Sequence, residues 1–255
     1  MCFAYDSVPP DLPADLGLPP LAGGAAAERL ELESADGTRF SAALARAPGG
    51  ADLGVVILPD VRGLYRFYAE LAERFAQAGH DAIAIDYFGR SAGTGERDED
   101  FDYWPHVMKT RVEQVQADAA AAAAALRERA GVQRVAVVGF CFGGTQAFLA
   151  AANPDLDLDR VVGFYGSLEN SRTGLPSPAD EAARMGGPVL GLFGGADEHI
   201  LPEHIADFDQ ALTGAGVQHE LVTYPGAPHS FFDRRYEEYA DACADAWRRV
   251  LGFFA

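Results

Sequence analysis

One cysteine, Cys141, lies between two glycines in the stretch GFCFG (139–143), directly after the apolar run VAVV (135–138). This G-x-C-x-G spacing is typical of a nucleophile elbow, a sharp strand-to-helix turn, with cysteine in place of serine. Such a turn holds the nucleophile at a helix N-terminus, where the helix dipole favours a thiolate and backbone N–H groups can bind an oxyanion. The spacing therefore predicts acyl transfer by a thiol. The same residues also allow a structural alternative, a small buried cysteine in a tight turn.

A nucleophilic thiol needs a base, and that base needs a third group to orient it. Downstream of Cys141, Asp197 follows one predicted strand and His229 lies in the loop after another. Nucleophile, acid and histidine in this chain order are one known arrangement of a catalytic triad. We therefore predict that these three side chains meet. Other interpretations stay open: His199 as a rival base, Asp197 as a helix N-cap, and His229 as an ordinary loop residue.

The elements that would position these residues are short apolar runs alternating with helical patterns along the chain. This alternation predicts an α/β fold with a mostly parallel central sheet and helices on both faces. Ligands of such sheets bind beyond the carboxyl ends of the strands. Four candidate residues stand at predicted strand ends: Asp60, Cys141, Asp197 and His229.

The two ends of the chain carry their own predictions. Residues 1–27, rich in proline, glycine and alanine, are expected to form an irregular N-terminal arm, and residues 28–255 a single domain. That domain should open with a hairpin whose turn is at Asp36-Gly37. The segment 234–254 is predicted to be one helix with these residues on its apolar face: Tyr236, Tyr239, Cys243, Trp247 and Val250.

The composition excludes several classes of function. The 255 residues carry a formal net charge of −18, so we expect neither nucleic acid nor a membrane as a partner. Three cysteines are too few for a disulfide framework or a zinc site, and the proposed chemistry needs no metal or organic cofactor. Because the chain shows neither a signal peptide nor a long apolar run, we expect a cytoplasmic location.

The motifs GFCFGG, GGAD and PGAPHSFF together resemble the dienelactone hydrolase family of α/β-hydrolases, over the chain from about Glu28 onward. The resemblance implies an α/β-hydrolase fold and hydrolysis of a small ester or lactone through a thioester. By this resemblance Cys141 is the nucleophile, His229 the general base and acid, and Asp197 the orienting carboxylate.

The stretch LPDVRG (58–63) matches a further position of the family. There the resemblance implies that Asp60 contacts the resting thiol, and that the N–H groups of Val61 and Phe142 form the oxyanion hole. The founding members carry glutamate where this chain has Asp60, whose side chain is one methylene shorter. A turn residue after Pro59 is the alternative for this aspartate.

The founding members open a lactone that bears a carboxylate, which arginines hold. The match of IDYFGR (85–90) implies Arg90 for this role. Arg234 is a weaker candidate, because its spacing after His229 is not that of the founding members, and Arg62, beside Asp60, could also contribute. A solvated surface arginine is the alternative for all three. Tyr165 either lines the pocket or belongs to the core.

Two other functions stay open at this stage. The chain could be a non-catalytic α/β-hydrolase fold that binds a small molecule or a partner protein. It could also be a thiol redox sensor acting through Cys141, although no C-x-x-C motif or nearby resolving cysteine supports that interpretation.

Overall fold

The structure is a computed structural model that describes residues 4–18, 26–169, 174–233 and 236–255, and one sheet runs through this part of the chain. Its strands are β1 (Glu28–Glu33), β2 (Arg39–Ala45), β3 (Leu53–Leu58), β4 (Asp81–Ile85), β5 (Arg134–Phe140), β6 (Arg160–Phe164), β7 (Val189–Gly194) and β8 (His219–Tyr224). Their order across the sheet is β1-β2-β4-β3-β5-β6-β7-β8. The pairings of β1 with β2 and of β2 with β4 are antiparallel, and all other pairings are parallel.

Helices flank this sheet, and the predicted α/β-hydrolase fold is confirmed. They are α1 (Arg66–Gln77), α2 (Gly89–Ala92), α3 (Trp104–Val107), α4 (Val112–Ala130), α5 (Phe142–Ala151), α6 (Pro178–Glu181), α7 (Pro202–Ala215) and α8 (Ala240–Phe254). Strands β3, β4 and β7 are buried along their whole length, as expected of parallel strands covered on both faces. The short helices α2, α3 and α6 were not predicted. Among the described residues, no helix combines the length and the apolar character needed to cross a bilayer.

The predicted hairpin forms at the start of the sheet. Glu28 of β1 lies opposite Leu44 of β2, and Gly37 in the connecting turn has a φ of 80°. Glycine adopts this left-handed conformation without steric cost, which is why the Asp-Gly pair marks the turn. β1 forms one edge of the sheet, and its residues are exposed or half-buried.

The last helix begins later than predicted. α8 starts at Ala240, whereas Tyr236 and Tyr239 lie in turns before it. The backbone N–H of Tyr236 donates to Asp233 O and that of Tyr239 to Tyr236 O, so successive tight turns replace the expected helical turns. The apolar face is otherwise as predicted, since Cys243, Trp247 and Val250 are buried.

The described part of the N-terminal arm contains a single 3₁₀ turn at Ala14–Leu16. Backbone carbonyls of the arm accept hydrogen bonds from the domain: Ala4 O from Arg62, Tyr5 O from the Tyr65 hydroxyl, and Pro10 O from the Trp247 indole. The arm therefore packs on the first helix region and on α8. The division of the chain at residue 27 stays a prediction.

Candidate active site

The turn between β5 and α5 holds Cys141 in a strained backbone conformation. β5 ends at Phe140, α5 begins at Phe142, and Cys141 between them has φ 53° and ψ −113°. A non-glycine residue at positive φ costs of order 1–3 kcal/mol and persists only where the surrounding structure enforces it. Phe142 is the first residue of the helix, so its N–H has no acceptor within the helix.

The two glycines of the elbow are required by close packing. A Cβ atom on Gly139 would lie 1.9 Å from Gly143 O, and one on Gly143 would lie 2.2 Å from Leu58 O. Both distances are far below van der Waals contact, so larger residues would push α5 away from β5 and β3. The sequence pattern therefore reflects a real steric constraint on the turn.

The three residues predicted to meet are in hydrogen-bond contact. His229 Nε2 lies 3.3 Å from Cys141 Sγ, and His229 Nδ1 lies 2.6 Å from Asp197 Oδ2. The other carboxylate oxygen of Asp197 accepts the backbone N–H groups of His199 at 2.8 Å and Ile200 at 3.2 Å. One carboxylate thus fixes both its own loop and the imidazole.

The environment of Asp197 keeps it ionised. Burial by itself would raise the pKa of this carboxyl, but the hydrogen bond and charge of His229 and the N–H groups of His199 and Ile200 lower its pKa below the usual value. A carboxylate so held favours the imidazole tautomer with its proton on Nδ1, so that the lone pair of Nε2 faces the sulfur of Cys141.

His199 is not placed as a base. Its ring meets the His229 ring edge-on at a centroid distance of 6.0 Å, and its link to Asp197 is through its backbone N–H. The N-cap alternative for Asp197 is also wrong in detail, because α7 begins only at Pro202 and is preceded by Leu201.

The loop after β3, residues 59–65 and here called the β3 loop, is fixed by two buried tyrosines. The Tyr87 hydroxyl donates to Pro59 O and lies equally close to Asp60 O, while the Asp60 N–H donates to the Tyr68 hydroxyl at 3.0 Å. These contacts orient the peptide units on both sides of Asp60, directly before Val61. The sequence analysis identified neither tyrosine as a residue of the site.

The carboxylate of Asp60 is bound by Arg62. Both carboxylate oxygens lie 3.1 Å from Arg62 Nε, and Oδ1 also accepts the Arg62 backbone N–H at 2.8 Å. Contact of Asp60 with the thiol stays a prediction. The interpretation of Arg62 as a surface residue is wrong, because it is 2% exposed and also pairs with Asp233.

The other predicted substrate residues have mixed outcomes. The Arg90 guanidinium is bound by Asp36 and by the buried Asp118, so the predicted clamp is occupied by carboxylates of the chain itself. Arg234 lies outside the described residues. Tyr165 is 2% exposed and its ring lies 5.1 Å from the His229 ring, so it is both a core residue and a neighbour of the site.

In the described part of the chain, no group of three or more His, Cys, Asp or Glu side chains is arranged to hold a metal ion.

Comparison with known proteins shows which family the chain belongs to. The sequence profile of the dienelactone hydrolase family matches residues 40–255. The chain belongs to the dienelactone hydrolase family. It is therefore a hydrolase of the class that acts on carboxylic esters and lactones.

Individual dienelactone hydrolase relatives cover most of the chain. A protein of Yersinia pestis named "Putative carboxymethylenebutenolidase" is 34% identical over 206 residues, which cover 78% of this chain and 76% of the relative. A Bradyrhizobium protein named "Probable 2-oxo-3-(5-oxofuran-2-ylidene)propanoate lactonase" is 32% identical over 77% of this chain and 81% of its own. The crystal structure titled "Putative Dienelactone Hydrolase" from Klebsiella pneumoniae superimposes with a TM-score of 0.76 at 30% identity, covering 89% of this chain and 98% of that one.

Proposed function

We propose that the protein hydrolyses a small carboxylic ester or lactone through a Cys141–His229–Asp197 triad and a thioester intermediate. The observation that carries this proposal is the continuous line of contacts from Cys141 Sγ to His229 Nε2 and from His229 Nδ1 to Asp197 Oδ2. The thiol stands at the start of α5, where a developing oxyanion can meet backbone N–H groups that have no acceptor within the helix.

In the first half of the reaction His229 Nε2 takes the proton of the thiol, and Cys141 Sγ attacks the carbonyl carbon. The N–H groups of Val61 and Phe142 bind the resulting oxyanion, and loss of one such donor typically lowers the rate about 10²–10³-fold. The tetrahedral intermediate collapses to a thioester. The leaving alkoxide receives the proton from His229.

In the second half His229 takes a proton from water, and the hydroxide attacks the thioester carbonyl. Collapse of the second tetrahedral intermediate releases the carboxylic acid and returns the thiol. Asp197 keeps the imidazole in the reactive tautomer and stabilises its charged form. Since an alkoxide leaves more readily than an amine, the proposal includes ester and lactone hydrolysis and little peptidase activity.

The test uses two cysteine variants with p-nitrophenyl acetate as substrate. We expect Cys141→Ala to abolish turnover and the wild-type protein to form an acetyl adduct on Cys141, detected by peptide mass. Cys243→Ala is the matched control, because burial raises the pKa of the Cys243 thiol to about 12 and leaves it unreactive. Turnover that survives Cys141→Ala contradicts the covalent mechanism.

The redox-sensor alternative makes a different prediction for the same thiol. It requires a reversible, peroxide-driven change in the mass of Cys141 without ester turnover.

The named relatives concern lactones, and the Bradyrhizobium lactonase carries a propanoate in its name. Whether this chain also takes a carboxylate-bearing substrate depends on its arginines.

A further inference from the structure

The side chain of Tyr87 binds the peptide unit to which the Val61 N–H belongs. Tyr87 follows β4 at its carboxyl end, and its hydroxyl lies 2.6 Å from Pro59 O and as close to Asp60 O. Carbonyl oxygens only accept hydrogen bonds, so the phenol must be the donor to this pair. The Asp60 carbonyl and the Val61 N–H are the two polar groups of one peptide unit.

This contact determines the direction of the Val61 N–H. A peptide unit is planar, and in the trans form its C=O and N–H point in opposite directions. No peptide bond of the described residues is cis, so a fixed Asp60 carbonyl on one side of the chain fixes the Val61 N–H on the other. Val61 is half-buried, and its N–H has no acceptor among the residues that the structure describes.

The ring of Tyr87 packs against the residue that supplies the second proposed oxyanion donor. Its centroid lies 5.5 Å from that of the Phe142 ring, at the start of α5. The β3 loop touches α5 at the same place, because a Cβ atom on Gly143 would lie 2.2 Å from Pro59 O. Tyr87 therefore contacts both backbone segments that would bind an oxyanion, one through its hydroxyl and the other through its ring.

The surroundings of Tyr87 keep its hydroxyl protonated. Tyr87 is 3% exposed, and burial together with the charge of Asp60 raises the pKa of Tyr87 well above 10. The second buried tyrosine, Tyr68, has a different role, since its hydroxyl accepts the Asp60 N–H of the preceding peptide unit at 3.0 Å. Of these two tyrosines, only Tyr87 binds the peptide unit of the Val61 N–H.

We propose that Tyr87 is a positioning residue of the oxyanion hole, which orients the Val61 N–H through the Asp60 carbonyl and supports Phe142. The inference rests on the proposed thioester mechanism, in which these two N–H groups bind the oxyanion. Loss of the hydroxyl leaves the carbonyl oxygens of two buried residues without this donor. The peptide unit can then rotate, and the Val61 N–H loses its fixed direction.

The first test removes only the hydroxyl, in Tyr87→Phe. Complete loss of an oxyanion donor costs about 10²–10³ in rate, so we expect a misdirected donor to lower kcat for p-nitrophenyl acetate about 10–100-fold. KM should stay nearly constant, because the oxyanion forms only after the substrate has bound. An unchanged kcat, or a change confined to KM, overturns the proposal.

Alkylation of Cys141 by iodoacetamide separates orientation of the oxyanion donors from general damage to the site. The thiolate sulfur displaces iodide from a saturated carbon, so no carbonyl oxygen becomes an oxyanion in this reaction. We expect Tyr87→Phe to be alkylated at the wild-type rate. A rate that falls in parallel with kcat contradicts the proposal, because the hydroxyl would then support the thiol or His229 instead.

A trifluoromethyl ketone measures oxyanion binding without turnover. Cys141 Sγ adds to the carbonyl carbon of 1,1,1-trifluoroacetone, the π electron pair moves to the oxygen, and the thiol proton moves to His229 Nε2. No group leaves, so the adduct is reversible, and its Kd follows from the protection of Cys141 against iodoacetamide. We expect this Kd to be about tenfold weaker in Tyr87→Phe, since the adduct resembles the transition state. An equal Kd in the two proteins refutes the proposal.

Tyr65→Phe is the matched control within the β3 loop. The Tyr65 hydroxyl also donates to a backbone carbonyl at 2.6 Å, but its acceptor is Tyr5 O in the N-terminal arm. The same kind of hydrogen bond is therefore lost while the peptide unit of Val61 stays bound. We expect kcat and the ketone Kd to stay close to the wild-type values. An equal loss in Tyr65→Phe and Tyr87→Phe contradicts a specific role of Tyr87.

The same set of variants separates this proposal from the proposed mechanism. Tyr87→Phe should stay folded, because a lost buried hydrogen bond costs about 1–3 kcal/mol, less than the stability of an ordinary domain. Turnover that survives Cys141→Ala refutes the thioester mechanism, whereas the ketone still tests Tyr87 because its adduct forms without turnover. An inactive Cys141→Ala together with an unaffected Tyr87→Phe refutes the role of Tyr87 alone.

Discussion

At the scale of single residues, the two oxygens of the Asp197 carboxylate have separate partners. One oxygen binds His229 and the other binds two backbone N–H groups of its own loop. The imidazole is therefore held by a group that is itself immobile. This arrangement suits a base that must change its protonation state without changing position.

Replacing Asp197 by Asn should remove the hydrogen bond that fixes the tautomer of His229. A side-chain amide at this position would donate to Nδ1 and force the opposite tautomer, with a proton on Nε2 facing the sulfur. We expect kcat to fall about 10³–10⁴-fold while the fold persists. Asp209→Asn is the matched control, because Asp209 makes a comparable 3.1 Å contact with His219 away from the triad. A similar loss in both variants would contradict a specific role of Asp197.

The raised pKa of Asp233 predicts that the free energy of unfolding depends on pH. Burial, opposed by Arg62 and reinforced by Asp60, raises the pKa of Asp233 from 3.8 to about 6. If the pKa of an acid is higher in the folded than in the unfolded state, the free energy of unfolding decreases as pH rises between these two values. Asn cannot ionise, so we expect the free energy of unfolding of Asp233→Asn to rise relative to that of the wild type between pH 4 and pH 7. Urea denaturation at both pH values measures this, and a constant difference would refute it.

The contact among Cys141, Asp197 and His229 was predictable from sequence, whereas the environment of Arg62 was not. A pattern at one turn and a fixed chain order identified Cys141, Asp197 and His229. Burial of Arg62 depends instead on partners from distant segments, Asp233 and the carbonyl of Ala4, which no local pattern reveals. A charged residue is expected at the surface unless its partners are known.

Among the strands and helices, the turn between β5 and α5 depends on direct contact between backbones. The sequence predicted the strand, the turn and the helix, because the apolar run, the glycines and the helix-favouring residues agree with one another. It failed where tertiary contacts decide the local structure. The short helices α2, α3 and α6 belong to loops without a long apolar period, whereas the turns before α8 carry the apolar spacing of a helix that does not form there.

A substitution at Gly143 should show how tight the elbow is. The Cβ atom of Gly143→Ala would lie 2.2 Å from the carbonyl oxygens of both Leu58 and Pro59, so α5 would have to move. We expect a loss of at least about 1–3 kcal/mol in unfolding free energy, together with loss of activity. Gly252→Ala in α8 is the control, since nothing lies within 4 Å of its Cβ position and alanine favours helix by about 0.5–1 kcal/mol. Equal tolerance of both substitutions would contradict the steric argument.

At the scale of the whole molecule, the N-terminal arm connects regions that are far apart in sequence. Its carbonyls accept hydrogen bonds from Arg62 near the start of the domain and from Trp247 near its end. The proline-rich composition predicted irregular structure but could not show where the arm lies. Its position follows from donors on the domain that would otherwise be buried without acceptors.

Deletion of residues 1–12 should therefore destabilise the domain. The hydrogen bonds from Arg62, Tyr65 and Trp247 to backbone carbonyls of the arm would be lost, and we expect a cost of at least about 2–4 kcal/mol from their summed contributions. Asp11→Asn is the control, because the exposed pair of Asp11 with Arg74 is worth at most about 1 kcal/mol. Thermal denaturation of both variants measures the difference. An unchanged midpoint on deletion would show that the arm contributes nothing.

Strand β1 has a consequence for self-association in concentrated solution. As the edge of the sheet, β1 has one side on which another chain could add a further strand and begin fibrous growth. Four of its six residues are charged: Glu28, Arg29, Glu31 and Glu33. Adding a strand there would bring like charges together and strip water from them, so the outermost strand of this fold opposes aggregation.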